Sequence, residues 1–171
     1  MDATATEIWC LQPSPVGDLL LSTDGEALTR LYFTPHKGTD RTLLRLQSER
    51  EPDPSHPVLR RTAGQLAEYF HDGRTSFDLL LRGAGSLFQQ RVWDALTEIP
   101  YGVTESYGSL ARRLGLPEGS ARAVGLANGA NPISIVVPCH RVIGADGSLT
   151  GYGGGLERKR FLLDLERGSL F

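Results

Sequence analysis

The chain has 171 residues, 40% of them hydrophobic, and a formal net charge of −2. That length holds one ordinary domain or two small ones, and the near-neutral balance argues against a generic nucleic-acid coat. No run approaches the roughly 18 apolar residues of a membrane span. The start, M-D-A-T-A-T-E-I-W-C, lacks the basic and long apolar regions of a secretory signal. The expectation is a soluble cytoplasmic protein with no membrane partner. Charge is unevenly divided: residues 1–85 hold nine Lys+Arg against twelve Asp+Glu, net −3, and residues 86–171 hold nine against eight, net +1. A phosphate backbone would therefore meet the second half, with few contacts. Two cysteines, Cys10 and Cys139, make neither a disulfide framework nor a zinc ligand set.

In chain order, I-W-C-L, L-L-L-S-T and A-L-T-R-L-Y-F are short apolar runs separated by P-S-P-V-G-D and D-G. Such punctuation predicts an antiparallel meander. Residues 35–56 are polar and carry Pro35, Pro52 and Pro54, which reads as loop with one helical turn at most. From Pro57, the recurrence of Val58, Leu59, Leu66, Tyr69 and Phe70 predicts a helix stopped by Gly73. T-S-F-D-L-L-L then alternates like a strand before G-A-G at 83–85, the expected boundary between domains 1–85 and 86–171.

Past that break the pattern becomes helical. Ser86 and Gln89 fit a capping box ahead of a helix with Phe88, Val92, Leu96 and Ile99 on one face. Two short helices come next, one over Tyr107–Leu114 and one capped by Ser120 and stopped at Gly129. Across G-L-P-E-G they make a helix-turn-helix candidate. L-E-R-K-R-F-L-L-D-L-E-R is a final amphipathic helix with Gly168 as its stop.

Between these helices lies I-V-V-P-C-H-R-V, residues 135–142, read as the end of a buried strand. Most free cysteines after an apolar run are core filler. Pro138 cannot donate to a ladder, however, so the chain ends or bends there and exposes the residues beyond it. His140 and Arg141 are poor core residues and suit an electropositive site, where a thiol becomes a nucleophilic thiolate. Neighbours in a strand point to opposite faces. Either the backbone turns at Pro138–Cys139, or a water bridges thiol and imidazole. The histidine also needs an orienting acid, which spacing alone does not choose.

P-C-H-R-V, preceded by S-A-R-A-V-G-L-A and N-P-I-S-I-V and followed by G-Y-G-G-G and L-L-D-L-E, resembles the O6-alkylguanine-DNA alkyltransferases, also called methylated-DNA–protein-cysteine methyltransferases. The likeness spans about residues 86–168 with every motif in order. It implies an α+β protein: an N-terminal antiparallel-sheet α/β domain (ribonuclease H-like) and a C-terminal helical winged-helix, helix-turn-helix domain.

The resemblance implies roles as well. Cys139 would attack the alkyl carbon on guanine O6, with His140 as base through water and Glu166 as its orienting acid. Asn131 would tie the recognition helix to the active-site strand, and Tyr107 would serve the ring nitrogen N3. Tyr152 would stack on the base, the Gly153 amide would donate to O6, and Val142 with the Cys139 carbonyl would meet the exocyclic amine. Ser134 stands in the pocket wall where some relatives have proline, and Gly153 where some have serine. Arg141 belongs to the same substrate-facing motif.

A base inside a duplex must leave the stack before an enzyme can act on it. The helix with Ser120, Ala121, Ala123 and Gly125 is lined with small residues that suit a narrow groove; the resemblance implies that it sits in the minor groove and that Arg122 would fill the gap left by the everted nucleotide. The implied activity is irreversible single-turnover repair of O6-alkylguanine in double-stranded DNA, with O4-alkylthymine slower, by a monomer needing neither metal nor organic cofactor. Two other readings of the same residues are a non-catalytic helix-turn-helix regulator and a thiol hydrolase built on Cys139 and His140.

Overall fold

The computed structural model describes residues 6–35 and 39–168. The chain forms two compact units, Met1–Ala84 and Gly85–Phe171, and is α+β. In the first, strands β1 (Ile8–Gln12), β2 (Leu19–Thr23) and β3 (Leu28–Phe33) make the expected antiparallel meander. Ile8 pairs with Thr23 and Leu19 with Phe33, and the register shifts once between Ser22 and Thr23. Central β2 is buried along its whole length. Strand side chains alternate between faces, so Leu20 joins Trp9 on one face, where Leu46 of helix α1 (Thr39–Glu49) covers them. Leu19 and Leu21 take the other face. Helix α2 (Pro57–His71) packs on the sheet with Leu59, Leu66, Tyr69 and Phe70 buried.

Two expectations are corrected in this unit. Residues 35–56 hold the 11-residue α1 rather than loop. Leu43 and Leu46 give it one narrow apolar stripe, which the prolines and polar residues around it mask. The 75–81 segment is not a strand either, since Leu81 makes a single parallel bridge to Leu28. The Gln65 side chain of α2 takes a strand neighbour's place. Its Nε2 donates to Asp78 O (3.0 Å) and its Oε1 accepts from Asp78 N (2.9 Å).

The second unit opens with α3 (Leu87–Leu96) and the expected capping box: Gln89 N donates to Ser86 Oγ (3.1 Å) and Ser86 N to Gln89 Oε1 (2.9 Å). Val92, Leu96 and Ile99 are buried and Phe88 is half-buried. The Trp93 indole donates to Ala127 O at 2.8 Å, which fastens α3 to α5 (Ala121–Gly129). A two-residue strand β4 (Glu105–Ser106) runs into α4 (Tyr107–Arg113), whose cap is Ser106. Helices α4 and α5 pack together across residues 114–120, as the helix-turn-helix pattern predicts. Ser120 stands at the expected N-cap position of α5, but its hydroxyl donates to Pro117 O at 2.6 Å and makes no cap bond to the helix. α5 runs through Gly129 and is capped by Ala130, one residue beyond the expected stop. Strand β5 (Val142–Ile143) pairs in parallel with β4, and α6 (Leu156–Arg167) ends at Gly168, left-handed with φ 76°.

A Cβ on Gly85 would lie 2.3 Å from the buried Trp93 ring. Gly85→Ala therefore pushes the indole off its bond to Ala127, at a cost of about 1–3 kcal/mol. Urea unfolding reads this directly, and unchanged stability would contradict the packing account.

Candidate active site

The stretch before Cys139 is folded into turns rather than a strand. Val137 N donates to Ile133 O (3.0 Å), Val136 N to Ser134 O (2.8 Å) and Cys139 N to Val137 O (2.8 Å). Ile135 holds a positive φ of 70°, rare for a β-branched residue and sustained only where the surroundings enforce it. Ile133, Ile135 and Val137 are all buried, so the apolar alternation is real but serves a buried turn. Cys139–Arg141 form one turn of 3₁₀ helix. The backbone thus turns at Pro138–Cys139, which removes the opposite-face conflict between Cys139 and His140.

Two asparagines hold this segment against the end of α5. Asn131 Nδ2 donates to Val137 O (2.8 Å) while its Oδ1 accepts from Ile133 N (3.0 Å). Asn128 Nδ2 donates to Cys139 O (3.3 Å). α6 supplies the other wall. The His140 ring faces Glu166, with Nε2 and Oε2 2.5 Å apart and both side chains essentially sealed from solvent. Arg141 Nε donates to Glu166 Oε1 (2.7 Å), its Nη1 to Ile99 O (2.7 Å), and its guanidinium lies 5.7 Å from the Tyr101 ring centre. Gly102 N adds a third donor to the carboxylate at 3.3 Å.

Burial alone would raise the Glu166 carboxyl; hydrogen bonds and charge from His140 and Arg141 pull it down to about 2. Burial pushes the His140 imidazole down against the pull of Glu166. The ring is therefore neutral at neutral pH, and Arg141 is the standing cation beside the carboxylate. With Glu166 ionised, Nε2 carries the ring proton and donates it to Oε2. Nδ1 is then the basic nitrogen, buried and without a partner among the described residues. Burial raises the Cys139 thiol, while hydrogen bonding from Asn131, Tyr152 and Ser134 and the charge of Lys159 act to lower it.

Beside this centre is a cleft of about 720 Å³, lined by Tyr107, Arg122, Gly125, Leu126, Thr150 and Gly151 among others. Cys139 is 4% exposed and is not part of its wall. The Tyr107 hydroxyl donates to Thr150 O at 3.2 Å, and Gly125 leaves van der Waals room against the Tyr107 ring. Ala121 also lines the cleft, Arg122 lines it while remaining exposed, and Ala123 and Gly153 are exposed.

Residues 87–168 match the family model described as "6-O-methylguanine DNA methyltransferase, DNA binding domain". The Mycobacterium tuberculosis methylated-DNA–protein-cysteine methyltransferase is 51% identical over 154 residues, 90% of this chain and 88% of its own. The Methanosarcina acetivorans protein of that name is 47% identical over 156 residues, 90% and 94% of the two chains. The crystal structure of M. tuberculosis O6-methylguanine methyltransferase superposes with a TM-score of 0.83 at 49% identity, covering 95% of this chain and 94% of that one. The M. tuberculosis protein in complex with DNA gives 0.83 at 48%, covering 94% and 93%. The chain belongs to the methylated-DNA–protein-cysteine methyltransferase family.

Against the residues expected from that family, the structure gathers Cys139, His140, Glu166, Asn131, Ser134 and Tyr152, with Tyr107 reaching the loop at Thr150. Two placements differ, and a third group is shared with another partner. Arg141, expected to face the substrate, is 7% exposed and committed to Glu166 and Ile99 O. The Cys139 carbonyl already accepts from Val142 N and Asn128 Nδ2. The Val142 carbonyl accepts from Lys159 Nζ at 2.6 Å. Asn128 and Lys159 are the site residues that sequence reasoning missed. Lys159, Leu162 and Glu166 recur at helical spacing on the buried side of α6, so a second charge on that apolar face was a signal for Lys159; Asn128 had none.

Glu166→Gln leaves the Arg141 guanidinium buried without its anion, at a cost of about 3–5 kcal/mol near pH 7. The carboxyl is held below its ordinary 4.5, at about 2. Its stabilisation is therefore complete above pH 4.5 and is lost as pH falls toward 2. Unfolding titrations of both proteins should show their stability gap closing across that window. A gap independent of pH would contradict the assignment.

Proposed function

We propose that Cys139 accepts the alkyl group of O6-alkylguanine in duplex DNA, in a single irreversible turnover. The observation that carries this reading is the sealed Glu166–His140 pair beside a buried cysteine, with His140 Nδ1 left basic and unpartnered among the described residues. Buried polar atoms ordinarily find a partner, and a water on Nδ1 would relay the thiol proton to the ring. The sulfur then bonds to the alkyl carbon as the carbon–O6 bond breaks, and the electron pair stays on the base. Tyr107 protonates the departing guanine at N3 and is itself reprotonated from His140 through solvent. The sum is thiol plus O6-alkylguanine giving thioether plus guanine, with no metal or organic cofactor in the balance.

The thioether has no leaving route. Cys10 lies in the first unit, 2% exposed, with burial and the Asp53 charge pushing its thiol up to about 11, so it offers no resolving thiolate. O4-alkylthymine carries the same kind of carbon and reacts more slowly. Residues 86–171 perform binding and transfer, and residues 1–85 support them.

Small residues on α5, Ala121, Ala123 and Gly125, allow its backbone to approach a narrow minor groove, with Ser120 at its start. Exposed Arg122 replaces the everted nucleotide in the stack, and apolar or stacking wedges are a common device of minor-groove proteins. Tyr152 stacks on the base, Ser134 closes the pocket, and the Gly153 amide donates to O6. The Val142 carbonyl keeps one lone pair for the exocyclic amine. Cys139, His140, Asn131 and Glu166 all lie in one compact unit of the chain, which supports a monomer as the working form. Among the described residues no helix is long and apolar enough to cross a membrane, and we place the activity in the cytoplasm. A helix-turn-helix regulator without chemistry would leave the buried Glu166–His140 pair unexplained.

Titrating the protein with duplex carrying radiolabelled O6-methylguanine should plateau at one methyl per chain. Continued release of label beyond that ratio would exclude a single-turnover acceptor. Cys139→Ala should transfer nothing yet retain DNA binding. Arg122→Ala should slow repair in duplex by about tenfold or more, because unstacking a base costs about a few kcal/mol, while attack on free O6-benzylguanine stays near the parent rate. Equal loss on both substrates would remove the intercalating role.

A further inference from the structure

The transfer step makes no use of Lys159, yet this side chain is 0% exposed. Its ammonium donates to Val142 O at 2.6 Å and to Thr150 O at 3.3 Å. It lies 5.9 Å from the Tyr107 ring centre and 5.7 Å from that of Tyr152. Two neutral carbonyls and two aromatic faces do not neutralise a charge. Glu166, two turns further along α6, is already committed to His140 and Arg141, and no described carboxylate lies within ion-pair distance of Nζ. A buried cation without a counter-ion is strongly unfavourable.

An ammonium has three protons to donate. Two go to the carbonyls, and the positive charge remains to act through space on an anion that forms nearby. The Tyr107 ring on α4 and the Tyr152 ring on the glycine loop face Lys159, and its charge also reaches Cys139 and His140 on the reactive turn, which Val142 ties to the same ammonium. Burial keeps the imidazole neutral, and a phenol stays protonated at neutral pH. Cys139 is the member of this set whose proton the transfer step removes, so it is the anion that forms beside the ammonium.

We infer that Lys159 is the counter-ion of the Cys139 thiolate, held in place by the Val142 and Thr150 carbonyls so that it also clamps the two ends of the loop between them. The inference rests on the alkyl-acceptor reading of Cys139. The interaction runs both ways: the Lys159 charge acts to lower the thiol, and the Cys139 charge acts to raise the ammonium against the effect of burial. The two basic groups divide the labour. His140 removes the thiol proton, and Lys159 stabilises the charge left on sulfur before the alkyl carbon arrives.

Lys159→Gln keeps a neutral donor for Val142 O and removes the charge; Lys159→Arg keeps the charge. The readout is the rate at which iodoacetamide alkylates the Cys139 peptide between pH 5 and pH 10, with no DNA present. The glutamine variant should move the thiol titration upward by about one unit, a drop of about tenfold in rate at neutral pH, and the arginine variant should stay near the parent profile. Coincident profiles for the parent and the glutamine variant would overturn the inference.

A second measurement needs no variant. Lys37 and Lys159 are the chain's two lysines, so a ¹⁵N-lysine sample has two ammonium groups to follow. Coupling between sites is reciprocal, and alkylating Cys139 should therefore make the Lys159 ammonium titrate at lower pH. A Lys159 signal that ignores alkylation would overturn the inference too. If the parent takes no methyl from an O6-methylguanine duplex, the acceptor reading falls whatever these profiles show. If it does and the profiles coincide, only the role of Lys159 falls.

Discussion

Glu166 projects from the last turn of α6 into three donors: the His140 ring, the Arg141 guanidinium and the Gly102 amide. A carboxylate near a helix C-terminus is unfavourable by itself, since the helix dipole places negative potential there, worth about 0.3–1 kcal/mol at an exposed site. Arg141 reverses that balance at close range, and burial strengthens its effect. This one anion sets the histidine tautomer, its orientation and the seating of the 3₁₀ turn on α6. Because Gly168 ends α6 in a left-handed conformation two residues later, the chain places its acid in the last turn where the helix still fixes it.

The remaining architecture resolves a conflict between burial and reactivity. A sulfur kept from solvent is held in one place by its neighbours, but burial disfavours the thiolate that must react. Hydrogen bonding from Asn131, Tyr152 and Ser134 and the charge of Lys159 work against that penalty. Asn131 serves a second purpose, since its amide pins the turn that contains Ile135 with its positive φ. The strained residue lies four positions before the sulfur, and the same asparagine stabilises both the backbone that aims the sulfur and the charge it develops.

Local signals in the sequence translated well into structure. The Ser86–Gln89 capping box, the Gly168 stop and the β1–β3 meander each depend on residues a few positions apart, so spacing alone predicts them. Failures came where distant groups decide. The segment around Asp78 pairs with the Gln65 side chain rather than a strand, and α1 is stabilised by Trp9 and Leu20 from the sheet. The apolar run before Pro138 has strand-like alternation, but Asn131 captures its backbone in a turn. Cys139, His140 and Glu166 were legible through a motif resemblance. Asn128 was not, because it forms part of no short pattern and matters only once α5 and the reactive turn converge; Lys159 had a single signal, its place beside Leu162 and Glu166 on the buried side of α6. Arg141 was legible as a charge but not as the partner of Glu166, 25 residues away.

The central claim is that one sulfur, Cys139, receives the alkyl group. Its most direct test is mass spectrometry of the intact protein and its peptides after incubation with an oligonucleotide duplex bearing O6-methylguanine. The account predicts a gain of a single methyl, confined to the peptide that contains Cys139, with Cys10 unmodified. A methyl on any other residue, or an unmodified protein alongside demethylated DNA, would contradict it.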